Sequence, residues 1–353
     1  VVPKTKGSGK KMSEFFRNLI KDLKDEDTTM ASDGNGSAEF GGFIDTGSYA
    51  LNAVISGSIY GGVPDNKVTA FAGESATGKT YFVLGVVRSF LEKHPTGGVV
   101  YYDTEAAVTK GMMEDRGIDT TRVIIAEPDT IQKFKTHALK MLDAYDLQPK
   151  DKRPPMMFVL DSLGQLSTSK EMEDSLEGKD TRDMTKSQII KAAFRVLTLK
   201  LARVGIPLVV TNHVYELVGS YVPTKELSGG TGLKYAASTI AMLSKRKEKD
   251  GTDVVGNIIK IKMHKSRLSK ENSQAEVLLT YAKGLDRYYG LIDIAEKYKI
   301  FKKVSTRYQL PDGSSVFGKS INDNPEKYYT EEVLALIEKA VQQEFKYGAN
   351  EDE

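Results

Sequence analysis

Gly73-Glu74-Ser75-Ala76-Thr77-Gly78-Lys79-Thr80 joins an apolar run at residues 68–72 to a helical pattern at 81–91. It fits G-x-x-x-x-G-K-[ST], a loop that cradles phosphates. Gly73 and Gly78 let the backbone wrap closely, so that successive N–H groups point at phosphate oxygens. Glu74, Ser75, Ala76 and Thr77 supply the rest of that cradle. Lys79 brings a point charge for the β- and γ-phosphates, and the Thr80 hydroxyl is a ligand for Mg²⁺. The following helix also turns its N-terminus to the anion.

Working outward, apolar strand patterns recur at residues 98–102, 123–126, 156–160, 206–211, 240–243 and 258–263, with helical patterns at 131–142 and 186–204. Such alternation predicts an α/β fold, a mostly parallel sheet with helices on both faces. At 353 residues the chain is long enough for about two domains. Residues 43–283 read as the ATPase core. Residues 284–353 carry shorter, Tyr- and Lys-rich elements and read as a small α+β C-terminal domain. Residues 1–42 combine a basic tail (Lys4, Lys6, Lys10, Lys11), a short N-terminal helix and a Gly/Ser-rich linker. Phe15, Phe16, Leu19, Ile20 and Leu23 give that helix one apolar face. It packs on its own core or docks on a neighbouring subunit as a polymerisation arm.

Composition narrows the chemistry. Hydrophobic residues make 40% and charged residues 28%, a globular balance. The absence of Cys excludes disulfides, Cys-ligated zinc, iron–sulfur clusters and a thiol nucleophile. The four His are scattered. No apolar run approaches membrane-spanning length, so the expectation is a soluble, cytoplasmic protein without a membrane partner. Net charge is +2, so nucleic-acid binding has to rest on local patches.

Three strand ends supply candidate chemistry. Asp161 closes the apolar run Met157-Phe158-Val159-Leu160 and would hold Mg²⁺, since acids at the carboxyl ends of parallel strands face bound ligands. Tyr101-Tyr102-Asp103-Thr104-Glu105 offers Glu105 as the base that polarises water, with Asp103 the alternative. A helix cap is the structural reading of Glu105. His213, after Thr211-Asn212, is placed to sense the γ-phosphate or to serve a structural role.

These residues resemble the RecA family of strand-exchange recombinases, especially its phage UvsX-like branch. The resemblance covers roughly residues 43–330. Thr46-Gly47-Ser48-Tyr49-Ala50-Leu51-Asn52 is similar to the family's T-G-x-x-x-L-[DN], and Leu160-Asp161-Ser162-Leu163 to its D-S strand end. Gly229-Gly230-Thr231-Gly232-Leu233-Lys234-Tyr235-Ala236-Ala237-Ser238 is similar to G-G-x-A-[LV]-[KR]-[FY]-x-[AS]-S. Tyr288-Tyr289-Gly290-Leu291-Ile292-Asp293 and Asn324-Pro325-Glu326 resemble the C-terminal domain of bacterial RecA.

The resemblance implies a RecA-type P-loop core and a DNA-dependent ATPase using ATP and Mg²⁺. It implies helical filaments on single-stranded DNA that pair homologous duplex in recombination and repair. A mediator and a single-strand binding protein are the accessory partners it suggests. By matching positions Glu105 activates water, and His213 stands where bacterial RecA has Gln and the phage branch has His. Lys265 and Arg267 would reach a neighbouring protomer's γ-phosphate as arginine fingers do. They lie in a segment, 245–270, with nine basic residues and three acids.

Two loops would carry DNA. The first, 169–186, holds Arg182 and Lys186 but also six acids. The second, 214–230, holds Tyr221, Lys225, Gly229 and Gly230, where glycine N–H groups approach phosphates and an aromatic stacks. Met112 occupies a position where the family often stacks a Tyr on adenine. A RecA-fold hexameric DNA helicase motor is the alternative function, and an ATP-binding regulator without turnover is a third class. Phe40, Phe43 and the face of Phe15, Phe16 and Leu19 all remain open as the polymerisation contact.

Overall fold

The computed structural model describes residues 8–24, 28–33, 41–179, 183–216 and 225–348. Phe40, Arg182 and Tyr221 lie outside the described residues, as do Lys4 and Lys6 of the basic tail. α1 (Ser8–Leu23) is the expected N-terminal helix, and its Phe15, Phe16, Leu19 and Leu23 are exposed. A small antiparallel pair, β1 (Phe43–Ile44) and β2 (Val63–Pro64), brackets α2 (Tyr49–Ser56). Ser48 caps α2 by accepting from Leu51 N, and Gly57 ends it.

The alternating part then runs β3 (Val68–Gly73), α3 (Lys79–Lys93), β4 (Gly98–Asp103), α4 (Lys110–Glu114), β5 (Val123–Ala126), α5 (Ile131–Asp146) and β6 (Met156–Asp161). α6 (Ser169–Leu176), α7 (Lys186–Val204), β7 (Leu208–Glu216), β8 (Lys225–Leu227) and α8 (Thr231–Ala236) complete it. Next come β9 (Thr239–Asp250), β10 (Asp253–Ser266), β11 (Gln274–Thr280) and β12 (Gly284–Leu285). The C-terminal part holds α9 (Leu291–Lys297), β13 (Lys302–Val304), β14 (Arg307–Gln309), β15 (Ser315–Phe317), α10 (Gly318–Asp323), α11 (Pro325–Tyr328) and α12 (Glu331–Phe345).

One large sheet has the order β12-β11-β10-β9-β3-β7-β6-β4-β5, with β8 paired to β7. From β9 to β5 the neighbours are parallel, and β10, β11 and β12 extend the sheet antiparallel. The central strands β3, β4 and β6 are buried almost end to end because both faces are covered. Phe71, Tyr101, Val159 and Val209 face the cluster containing α2 and α3. Their chain neighbours Ala70, Val100, Phe158 and Val210 face the other way, into the cluster of α5, α7 and α8. This alternation is the period of two that a strand imposes. Leu291, Phe301, Ile321, Val333, Ile337 and Val341 of the C-terminal part join the same apolar cluster as α2 and α3.

Three segments differ from the sequence reading. Residues 240–243 are only the buried beginning of a 12-residue strand, and 258–263 the buried middle of a 14-residue one. The second half of the first strand is charged and exposed, as are both ends of the second in part, so hydropathy finds only the buried stretch. Residues 169–186 read as a loop, yet Thr168 and Glu171 form a capping box that starts α6.

Candidate active site

The register of the sheet sets the site level. Gly73 lies opposite His213 on β7, and Asp103 opposite Asp161 on β6. The loop after β3, the end of β4, the end of β6 and the outgrowth of β7 therefore meet at one edge. This is the carboxyl edge, where α/β sheets bind ligands.

Gly78 caps α3 in the left-handed region, φ 84°, with no side-chain cap. The first N–H groups of α3 have no intrahelical acceptor by helix geometry and face the loop. Lys79 is 7% exposed, and its Nζ donates to the carbonyls of Gly73 (3.1 Å) and Glu74 (2.8 Å). Burial lowers the Lys79 ammonium, and the nearby Glu105 and Asp161 carboxylates act against that. Lys245 of β9 donates to the Ala76 carbonyl at 2.9 Å, at the tip of the loop.

Asp161 is buried and accepts from three hydroxyls. Thr80 Oγ1 and Tyr101 Oη reach Oδ2 at 2.8 and 2.7 Å, and Thr211 Oγ1 donates to Oδ1. Burial, followed by the Asp161 charge and hydrogen bond, pushes the Tyr101 hydroxyl well above its ordinary range, so it stays a donor. The Asp161–Ser162 peptide bond is cis. Thr104 and Ser162 then clasp β4 to β6: Thr104 Oγ1 donates to Ser162 O and accepts from Ser162 N, each at 2.8 Å.

That clasp aims Glu105. Its Oε1 accepts from Ser162 Oγ at 2.7 Å and lies 2.9 Å from His213 Nε2. Asp103, the alternative base, is buried, and its two oxygens accept from the backbone N–H groups of Glu105 (3.0 Å) and Val108 (2.9 Å). It is occupied in shaping the turn, whereas Glu105 is open to solvent, with its side chain 30% exposed.

His213 also sits at the root of a hairpin. Its carbonyl accepts from Ser228 N at 2.8 Å, and Asn212 Nδ2 donates to Ser228 O at 2.9 Å. Gly229 and Gly230 follow and lead into α8, where Gly230 is the cap. Lys225 opens β8. Lys186 heads α7 and is ion-paired with Glu171 of α6 at 3.2 Å.

Lys265 and Arg267 are elsewhere. Lys265 pairs with Ile240, which pairs with Ala70 of β3. At about 3.3 Å per residue this puts Lys265 roughly 10 Å from the level of Gly73, towards the opposite sheet edge. Its Nζ donates to the Lys234 and Tyr235 carbonyls at the end of α8, and Arg267 is exposed. Within one chain these cations do not meet the phosphate loop.

The donor set fits the Mg²⁺ expected from the sequence. Mg²⁺ keeps several waters and takes few protein oxygens alongside phosphate. Thr80 and Asp161 present two hydrogen-bonded oxygens beside the loop. No group of three or more His, Cys, Asp or Glu able to hold a metal exists among the described residues. Sequence reasoning missed Tyr101, Thr104, Ser162, Thr211 and Lys245. Tyr101, Thr104 and Ser162 neighbour the strand-end acids in sequence and could have been found by asking what satisfies a carboxylate there, whereas Thr211 comes from the next strand. Lys245 carries no local signal.

Among the described residues no helix is long and apolar enough to cross a membrane. The RecA N-terminal domain family matches residues 24–286. The recombination and repair protein of phage T4 is 33% identical over 245 residues, 69% of this chain, and the chain spans 61% of that relative's length. RecA of Salinispora tropica is 28% identical over 315 residues, covering 87% of this chain and 84% of its own. The crystal structure of the RadB recombinase superposes with a TM-score of 0.50 at 19% identity, over 69% of this chain and 99% of that one, which speaks for the fold. With the phosphate loop, the two strand-end acids and three quarters of its length matched in this way, the chain belongs to the RecA family.

Proposed function

We propose that this protein is an ATP-dependent strand-exchange recombinase that assembles as a helical filament on single-stranded DNA and pairs it with homologous duplex. One observation carries the reading beyond a generic ATPase. His213 Nε2 contacts Glu105 at the pocket, while the His213 backbone holds the hairpin that runs into Gly229-Gly230. A change at the γ-phosphate and a change in the second DNA loop thus act on one residue.

In this reading the loop N–H groups and Lys79 bind the triphosphate. Thr80 and Asp161 would hold Mg²⁺, which would supply positive charge against the phosphoryl oxygens. Glu105 takes a proton from the attacking water, and Ser162 with the Thr104 clasp holds Glu105 in place. Lys265 and Arg267 lie away from their own pocket, so their role is to complete the pocket of the next protomer. Lys186 must leave Glu171 to contact a DNA phosphate. Lys225, Gly229 and Gly230, with Tyr221 and Arg182, form the remaining DNA contacts.

Electron microscopy with single-stranded DNA and ATP tests the assembly. Continuous helical filaments are expected, and closed rings would favour the helicase reading. DNA affinity should fall with salt at a slope of about −0.7 per phosphate neutralised. A flat salt response in a filter-binding titration would count against backbone contacts.

A further inference from the structure

We propose that Tyr81 and Arg116 form the nucleoside-contacting wall of the phosphate-loop pocket, the surface against which the base of the bound nucleotide stacks. The inference rests on the nucleotide reading above and adds a base subsite to it.

The direction of the ligand comes first. Glu105 and Asp161 stand at the ends of β4 and β6, so the terminal phosphate has to face them for hydrolysis. The remaining phosphates then follow the first turn of α3, and the nucleoside leaves past Thr80. The next residue is Tyr81, half-buried.

Tyr81 is built into a wall. The Arg116 guanidinium lies over its ring, 4.9 Å from the centroid. Arg116 Nη1 donates to the Met112 carbonyl at 2.8 Å, which ties the pair to α4. On the other side the phenol edge meets Gly284. A Cβ at Gly284 would stand 1.9 Å from Tyr81 Oη, and its φ of +75° also calls for glycine. Tyr81 and Arg116 therefore span the gap between α4 and the start of β12.

The chemistry of the pair suits a base. A guanidinium is planar, weakly hydrated and stacks on aromatic faces, and aromatic rings in turn stack nucleobases. Arg116 Nε is buried without a hydrogen-bond partner, so the guanidinium is under-bonded where it stands. Met112, where an aromatic is expected from the family pattern, has no flat π-face. The aromatic surface on this wall comes from Tyr81 instead.

A merely structural Tyr81–Arg116 pair would hold α4 against α3 and serve every ligand alike. Inorganic tripolyphosphate separates the two roles, because it carries the phosphates and no base. Binding of ATP and of tripolyphosphate is measured by calorimetry on the full chain, for wild type, Tyr81→Leu, Tyr81→Phe and Arg116→Met. ATP affinity should fall about 10-fold in Tyr81→Leu and in Arg116→Met. Tripolyphosphate affinity should stay unchanged in both, which also reports that the pocket is folded, and Tyr81→Phe should keep wild-type ATP binding. Equal loss of both ligands in the two variants, or no loss of ATP affinity, would overturn the base wall while leaving the phosphate loop intact. Wild type that binds neither ligand would overturn the nucleotide reading itself and the subsite with it.

Discussion

Lys79→Ala should abolish nucleotide-dependent DNA binding and cut ATP hydrolysis by about 100- to 1,000-fold, the usual loss when a preorganised donor to a developing charge is removed. The reasoning is geometric. Lys79 is the buried cation of the loop, and its Nζ bridges the Gly73 and Glu74 carbonyls. Removing it takes away the proposed phosphate contact and unties the loop in one step. Fluorescent-nucleotide binding and filament length on single-stranded DNA are the measurements. A variant with wild-type filaments and turnover would remove the phosphate loop from the account.

Glu105→Gln should behave differently. Turnover should drop by about 100- to 10,000-fold, the range for a positioned general base, while nucleotide binding and filaments persist. The amide keeps the shape and still accepts from Ser162, so only the proton acceptor is lost. The pH profile gives a second reading of the same group. Burial pushes the Glu105 carboxyl up, but the Ser162 hydroxyl, the His213 ring and the Lys79 charge together hold it below its ordinary range. A lowered value favours the ionised form. Its contacts are therefore complete above the ordinary glutamate range and are lost only as pH falls through the lowered value. The acid limb of wild-type hydrolysis should accordingly lie below that of an unperturbed glutamate. Unchanged turnover in the variant would rule Glu105 out as the base.

Much of this was legible in the sequence because its signals are local. Residues 73–80 fix a phosphate loop by spacing alone, Asp161 announces itself by ending an apolar run, and Glu105 and His213 by following one closely. What periodicity could not give is what depends on another strand. The choice between Glu105 and Asp103 turns on which carboxylate the backbone already occupies, and that is a matter of the turn at 103–108. The three hydroxyls on Asp161 come from α3, β4 and β7, distant in the chain. Likewise β9 and β10 are long only because each satisfies the other's exposed half, a pairing that hydropathy cannot see. α6 escaped because its face is short and half of its residues are charged, although its capping box was present in Thr168 and Glu171.

β7 has one more consequence, in time rather than in space. It is bonded to β6 as far as Val210 and to β3 as far as His213, and past that point its partner is β8. Amide protons on 208–212 should exchange with solvent only when the whole sheet opens, while those on 214–216 and 225–227 should exchange by peeling of a two-stranded ribbon. Deuterium uptake followed by mass spectrometry would show the break between slow and fast at His213. A single residue thus marks the seam where a permanent scaffold gives way to a part able to swing.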